Sequence, residues 1–387
     1  MRRSVGHPKV VLVRRTRPLT DTEEIDVLTI PLTPRRVARL KVAYTVRNLD
    51  LAQPLQVVHD HDLAPRHGDV MLAAVDRIGQ HPKLELTTSR RSALYTGDEI
   101  IVAAAARYAP DQFEAEVPED LGPCDLVAAG GIAARIRSSH VKMSIPTSLN
   151  PIGLLADAGG RIVNLSDLAL AAPVPTLRRP TTIVVAGTAM NAGKTTAVAS
   201  LVRGLTAAGL RVGACKVTGT GAGGDPWLYR DAGAAEVLDF TDVGFAATYR
   251  IPLPALLDCA TGLHAHLAAR DVDAIVIEIA DGVLHAETAA LLDHPRIQAL
   301  IDGVVFAAGD AAGTLLGVSR VRAAGLEVLA VGGLLTTSPL ATREAQAVLD
   351  LPVYGSADLS DPALSVSLLQ KARVTVITPR AHCAQPA

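Results

Sequence analysis

The pattern of apolar positions changes near residue 180, after which nearly continuous apolar runs alternate with Ala- and Leu-rich stretches. The runs typical of strands are Thr182–Ala186, Arg211–Cys215, Ala274–Ile279, Gly303–Ala308, Glu327–Gly332 and the short Val353–Gly355. The stretches typical of helices are Thr195–Ala208, Ala255–Ala269, Val318–Ala324 and Arg343–Leu349. Continuous apolar runs indicate strands buried on both faces, and the intervening helices predict a parallel α/β sheet.

Before residue 170 the chain has shorter β-type runs that are separated by turn residues. Val27–Ile30, Asp69–Val75 and Glu99–Ala103 are such runs, and Gly97-Asp98 is one of the turn signals. Closely spaced strands with turn residues favour a small antiparallel sheet or barrel. Three prolines within residues 171–180 disfavour a helix there and predict a linker.

The fold class that follows is α/β, with a C-terminal parallel-sheet domain preceded by a smaller β-rich N-terminal module. We predict a strand-rich segment over residues 1–65 and a β-rich domain over 66–170, the latter a possible substrate-specificity module. A linker over 171–180 then leads to the parallel-sheet domain over 181–387.

Composition narrows the choice of partners. The chain has 387 residues, 49% of them hydrophobic and 3% aromatic, and a formal net charge of −2. The near-neutral net charge gives no positive potential that would attract polyanions, and the few aromatic residues give no base-stacking surface. Neither nucleic acid nor a membrane is therefore expected as a partner. No apolar run approaches the ~20 residues that span a bilayer. Four scattered cysteines without a Cys-x-x-Cys pair favour a cytoplasmic location.

The strongest motif is Gly187-Thr-Ala-Met-Asn-Ala-Gly-Lys-Thr-Thr196, which follows a predicted strand and opens a predicted helix. This is the context of a P-loop, or Walker A motif, in which backbone N–H groups and the helix N-terminus hold phosphate. Lys194 would reach the β- and γ-phosphates and Thr195 would bind Mg²⁺. The predicted cofactors are therefore ATP and Mg²⁺. The candidate cofactor-binding residues are Gly187, Thr188, Asn191, Ala192, Gly193, Lys194, Thr195 and Thr196.

The spacing of this loop carries a family resemblance. Five residues separate Gly187 from Gly193, and the pattern resembles the Gly-Thr-x-x-x-x-Gly-Lys-Thr loop of dethiobiotin synthetase. That enzyme belongs to the SIMIBI class of P-loop NTPases, as do cobyrinic acid a,c-diamide synthase and the molybdopterin-guanine dinucleotide biosynthesis adaptor. The D-glutamate N-acetyltransferase family has a similar loop in its C-terminal half, and the layout of this chain resembles that family most. The resemblance covers about residues 181–355 and implies a homo-oligomer, frequently a dimer.

Two more candidate residues follow the second predicted strand. The resemblance to dethiobiotin synthetase implies that Lys216 contacts substrate and phosphate and that Asp225 binds Mg²⁺. Arg230-Asp231-Ala-Gly-Ala is similar to a stretch of the molybdopterin adaptor, which makes Asp231 a rival metal ligand. The predicted catalytic residues are therefore Lys194, Lys216 and Asp225.

Acidic residues after the later strands complete the candidate site. Glu278 lies at the carboxyl end of a predicted buried strand, where parallel sheets bind ligands. The predicted metal ligands are Thr195, Asp225 and Glu278. Asp281 and His285 are further candidates, and Asp310 is expected to cap the helix that follows it.

The function predicted from these residues is an ATP- and Mg²⁺-dependent enzyme. It would activate a small carboxylic acid by phosphorylation for C–N ligation or cyclisation, as a ligase does. Three alternatives stay open: a small-molecule kinase, a nucleotide-binding accessory protein for a partner enzyme, and a coenzyme-A-dependent acyltransferase. The absence of an Asn-Lys-x-Asp motif favours ATP over GTP.

Overall fold

A computed structural model describes residues 28–60 and 63–377 and divides them into two compact units. The first unit contains residues 28–60, 63–169, 220–222 and 244–247. The second contains 170–219, 223–243 and 248–377. In the described ranges no helix is both long and apolar enough to cross a membrane.

The first unit is β-rich, as predicted. Its strands are β1 Leu28–Pro31, β2 Lys41–Val42, β3 Leu55–His59, β4 Val70–Arg77, β5 Lys83–Glu85, β6 Arg91–Ala93, β7 Glu99–Ala104, β8 Phe113–Glu116, β9 Cys124–Ala128, β10 Ile132–Ser139 and β11 Thr147–Asp157. A short helix, α1 (Pro34–Val37), follows β1. The predicted runs at Val27–Ile30, Asp69–Val75 and Glu99–Ala103 overlap β1, β4 and β7.

Most strand pairs in this unit are antiparallel, and β4, β7, β10, β9 and β11 pair in turn so that they close into a ring. The pair formed by β7 and β10 is parallel. Strand β11 is long enough to pair with β3, β4 and β9. The apolar positions of these strands form one buried core, in which Met71, Ile101 and Leu149 are fully buried. Burial of this apolar surface is the main force that stabilises the unit.

The second unit is the predicted parallel α/β domain. Its strands are β12 Thr181–Gly187, β13 Val212–Lys216, β14 Glu236–Asp239, β15 Ala274–Glu278, β16 Gly303–Ala307 and β17 Val328–Gly332. They form a sheet in the order β14-β13-β15-β12-β16-β17, and every neighbouring pair is parallel. Its helices are α2 Lys194–Ala207, α3 Gly224–Asp231, α4 Leu253–Ala268, α5 Ala286–Asp293, α6 Pro295–Gln298, α7 Ala311–Ala323, α8 Pro339–Val348, α9 Ser356–Leu359 and α10 Pro362–Ile377.

One predicted strand of this domain is wrong, and one strand was missed. Val353–Gly355 is reduced to a single bridge between Val353 and Val331. Pro352 has no N–H to donate and Gly355 precedes α9, so the segment cannot extend a ladder. Strand β14 at the sheet edge was not predicted, because Glu236 and Asp239 interrupt its apolar run.

The topology brings the carboxyl ends of the central strands to one edge of the sheet. Strand β12 leads directly into the P-loop. Its neighbour β15 ends at Glu278, and β13, which pairs with the other side of β15, ends at Lys216. Lys216 and Glu278 are register partners across these two strands. The candidate residues are therefore brought together by strand pairing.

Buried neutral histidines predict acid sensitivity in both units. Burial lowers the pKa of His81 and of His264 to about 4, and nearby Arg107 and Arg179 respectively add to the effect. Because each folded pKa lies below the unfolded value of about 6.5, the unfolded chain binds more protons at intermediate pH. Stability should therefore fall as pH drops from about 6.5 towards 4, by on the order of 3 kcal/mol for each histidine.

This loss can be measured as the urea midpoint by circular dichroism between pH 7 and pH 4.5. His264→Gln should reduce the change of the urea midpoint with pH that comes from the second unit. His81→Gln should reduce the change that comes from the first unit. A pH dependence that is unchanged in both variants would contradict the assignment, because other acid-titrating groups are the same in every protein.

Candidate functional site

The P-loop has a backbone that requires glycine at both ends. Asn191 and Gly193 have positive φ values of 64° and 92°, so the chain curls before α2 begins. A Cβ on Gly187 would lie 2.5 Å from the carbonyl oxygen of Ala307, and one on Gly193 would lie 2.9 Å from the Cα of Gly333. The loop thus packs against the end of β16 and the segment that follows β17. The first N–H groups of α2 have no partner within the helix and are suited to bind phosphate.

The other predicted loop residues occupy different environments. The N–H of Thr188 donates to the Ala307 carbonyl at 3.0 Å, and the buried Ala192 accepts through its carbonyl from the Leu334 N–H at 2.9 Å. The side chains of Asn191 and Thr196 are exposed. Their proposed contacts with nucleotide remain predictions.

Lys194 is held inside the loop. Its side chain is only 5% exposed, and Nζ donates to the carbonyl oxygen of Ala189 at 2.7 Å. Burial lowers its pKa, while the negative charge of Glu278 opposes that change. The cation is therefore desolvated and held by a neutral carbonyl, so an incoming phosphate would be a stronger partner.

Thr195 and Glu278 form a donor set that fits Mg²⁺. The hydroxyl of Thr195 lies 3.3 Å from Oε1 of Glu278. Adjacent ligands of an octahedral Mg²⁺ lie about 3.0 Å apart, because each metal–oxygen distance is about 2.1 Å. Among the residues that the structure describes, no group of three or more His, Cys, Asp or Glu side chains is arranged to hold a metal. An ion held here would therefore take further oxygens from water and phosphate, as Mg²⁺ commonly does.

Lys216 links the two carboxylates of the site. Its Nζ contacts Oδ2 of Asp225 and lies 3.3 Å from Oε1 of Glu278. Burial alone would lower the pKa of Lys216, but the charges of Glu278 and Asp225 outweigh burial and raise it. Lys216 is thus a permanent cation within the site, and the carboxylate of Asp225 is already paired. The roles predicted for Lys216 and Asp225 towards phosphate and metal remain predictions.

Tyr229 is a site residue to which no motif pointed. Its hydroxyl donates to Oε2 of Glu278, and it is the one buried residue of α3, a helix described in full. Burial and the charge of Glu278 raise the pKa of Tyr229 well above its ordinary value. The signal was available in principle, because Tyr229 follows Asp225 at i+4 and so shares its helix face.

The remaining candidates take other positions. Asp231 is exposed at the end of α3, about 120° around the helix axis from Asp225. Asp281 is buried with a φ of 63°, and burial raises its pKa against the opposing charges of His285 and Lys194. His285 lies with Nδ1 3.5 Å from Oε2 of Glu287.

Asp310 caps α7, as expected from the sequence. Its Oδ1 accepts from the Gly313 N–H at 2.6 Å.

Comparison with known families supports the identification of the loop. Residues 182–280 match the family described as Molybdopterin guanine dinucleotide synthesis protein B. This range is about a quarter of the 387-residue chain and runs from β12 past the end of β15. No curated protein sequence matches the chain significantly.

Three solved structures illustrate the similarity found in that comparison. Signal recognition particle receptor FtsY from Elizabethkingia anophelis is 19% identical, with a TM-score of 0.35 over 55% of this chain and 74% of that one. A nucleotide-binding protein in complex with ADP from Archaeoglobus fulgidus is 16% identical, with a TM-score of 0.33 over 54% and 93%. Signal recognition particle 54 kDa protein from Aeropyrum pernix K1, in complex with GDP, is 18% identical, with a TM-score of 0.33 over 55% and 53%. Scores this low carry no functional information.

The second unit therefore has the fold of a nucleotide-binding P-loop NTPase and resembles the SIMIBI class. Three observations agree on this: the parallel sheet, the loop between β12 and α2, and the family match over residues 182–280.

Proposed function

We propose that the second unit binds Mg·ATP and cleaves the bond to its γ-phosphate. The observation that carries this proposal is the 3.3 Å approach of the Thr195 hydroxyl to Glu278 Oε1, at the first turn of the P-loop helix. A hydroxyl and a carboxylate at this separation form a hard oxygen pair suited to Mg²⁺. Thr195 and Glu278 would hold the ion, which would supply positive charge to offset the charge of the phosphate during transfer.

The chain's own residues would supply the rest of the charge neutralisation. Lys194 would exchange the Ala189 carbonyl for phosphate oxygens. The N–H groups at the start of α2 would orient those oxygens, and Lys216 would keep a second cation near them. Phosphoryl transfer depends mainly on such positioning and electrostatic stabilisation, since the protein forms few covalent bonds in it.

For the acceptor, we propose the carboxylate of a small acid. A carboxylate oxygen would attack the γ-phosphorus and ADP would leave, which gives an acyl phosphate. An amine would then attack the acyl carbon and phosphate would leave, so that a C–N bond forms. The support is the five-residue loop spacing together with Lys216, both of which resemble dethiobiotin synthetase. The first unit stays a candidate substrate-specificity module, and a cytoplasmic homo-oligomer completes the proposal.

A second candidate is a nucleotide-binding accessory protein that serves a partner enzyme. The match of residues 182–280 to a molybdopterin guanine dinucleotide synthesis family favours it. In that case nucleotide turnover would be slow alone and would rise only with the partner.

The experiment that tests the proposal is ³¹P NMR of the full chain with Mg·ATP, with and without a pool of small acids and amines. ADP and free phosphate formed only with the pool would support ligation. A new phosphoester resonance would instead indicate a kinase. An unchanged spectrum, with no ATP bound in calorimetry, would contradict the proposal and direct attention to coenzyme A. ATP bound without turnover would favour the accessory role, and a GTP competition would test the choice of base.

A further inference from the structure

We infer that Tyr229 is a positioning residue for the divalent cation, because it fixes the orientation of the Glu278 carboxylate. This inference rests on the proposed function, since it concerns how the same site holds its metal. No motif or comparison assigns Tyr229 a role. The geometry points to such a role because the two carboxylate oxygens of Glu278 have different partners.

Each oxygen of Glu278 faces a different group. Oε2 accepts from the hydroxyl of Tyr229, while Oε1 faces the Thr195 hydroxyl and Lys216 Nζ, both at 3.3 Å. Glu278 is only 2% exposed, so water cannot replace a lost partner freely. A carboxylate with one oxygen held in this way cannot rotate, and Oε1 stays directed at the P-loop threonine.

Tyr229 reaches Glu278 from the helix that also carries Asp225. The two residues are four apart in α3, so they lie on the same face of the helix. Asp225 contacts Lys216 at the end of β13, and Tyr229 contacts Glu278 at the end of β15. The ring of Tyr229 packs in the apolar core of the second unit, which fixes its hydroxyl. Helix α3 therefore holds both strand ends that supply charge to the site.

Loss of the hydroxyl should weaken metal binding without disturbing the phosphate cradle. In Tyr229→Phe the ring still fills its place in the core, but Oε2 of Glu278 loses its donor. The carboxylate is then free to turn and share Oε1 with other partners. Groups that orient a metal ligand typically contribute about 10–100-fold to metal affinity. We expect the affinity for Mn²⁺, used as the probe for the divalent site, to fall about tenfold.

The test compares the full-length wild type, Tyr229→Phe and the control Tyr354→Phe. Tyr354 also packs against the core of the second unit, so it controls for the loss of a tyrosine hydroxyl there. Mn²⁺ affinity is measured by electron paramagnetic resonance with a non-hydrolysable ATP analogue. Affinity for the analogue is measured by calorimetry in EDTA and in excess Mg²⁺. Trp227, the only tryptophan in the chain, lies in α3 and gives an independent fluorescence readout.

The expected result is a Mn²⁺ affinity about tenfold weaker in Tyr229→Phe, with analogue affinity in EDTA unchanged and the Tyr354→Phe control like wild type. A Mn²⁺ affinity of Tyr229→Phe equal to that of the wild type would overturn this inference but would leave the proposed function standing. Equal losses in EDTA and in Mg²⁺, together with a lower urea midpoint, would also overturn it, because they indicate a purely structural role. Analogue binding to the wild type that does not depend on Mg²⁺ would contradict the proposed function itself.

Discussion

Replacement of Lys194 by alanine is expected to weaken ATP binding about 100-fold. The Lys194 ammonium is buried and its partner is the neutral Ala189 carbonyl, so it can transfer to phosphate at little cost. Hydrogen bonds to charged groups contribute about 1.5–3 kcal/mol, and about 2.7 kcal/mol corresponds to 100-fold in affinity. Calorimetry with Mg·ATP measures the change directly.

The same variant should fold at least as well as the wild type. Because burial lowers the pKa of Lys194, the folded state disfavours its charged form, and removal of the charge should not destabilise the protein. Arg203→Ala is the matched control, since Arg203 is an exposed cation on the same helix. Equal ATP affinity in the Lys194→Ala and Arg203→Ala proteins would rule out the P-loop assignment.

The regular part of the fold could be predicted because its signals are local. Buried parallel strands require continuous apolar runs, so β12, β15, β16 and β17 were found within one or two residues of their observed ends. Strand β14 has mixed polarity because it lies at the edge of the sheet. Residues 219–224 contain four glycines, which disfavour a helix, so the sequence did not predict α3, which begins at Gly224. Its stability comes from tertiary contacts that local propensity does not record.

The candidate site likewise contains residues that a local sequence motif reveals and residues that only the packing of distant elements brings together. The P-loop is contiguous in sequence and is therefore visible as a motif. The approach of Lys216 to Glu278 depends on the pairing of β13 with β15, which a rule about strand ends anticipates only in part. The hydrogen bond from Tyr229 to Glu278 joins residues 49 positions apart, and its donor lies in a helix that was not predicted. Such a contact depends on the packing of one helix against the sheet.

Replacement of Lys216 by methionine is expected to lower the free energy of unfolding by about 3 kcal/mol. Methionine keeps most of the volume but leaves Glu278 buried without its cation, and removal of one partner from a buried ion pair costs about 3–5 kcal/mol. We take the lower end of that range because Asp225 is 32% exposed and water can solvate it. Urea unfolding followed by circular dichroism gives the value.

A double-mutant cycle tests the physical cause. In Lys216→Met with Glu278→Gln the two buried strand ends carry no charge, and only the partly exposed Asp225 loses its partner, so the double variant should lose less stability than the sum of the single ones. Residues in direct contact show coupling of about 0.5–3 kcal/mol, and strictly additive losses would contradict the ion pair.

The variant Lys216→Arg separates the stabilising role of Lys216 from a catalytic one. Arginine keeps the positive charge between the two carboxylates, so most of the stability should return. Its guanidinium is planar and larger than the compact ammonium of lysine, so it cannot occupy the position of Lys216 Nζ. A phosphate contact made by that ammonium would therefore be lost. Stability restored without ATP turnover would assign Lys216 to the reaction, whereas recovery of both would limit it to holding Glu278 and Asp225 in place.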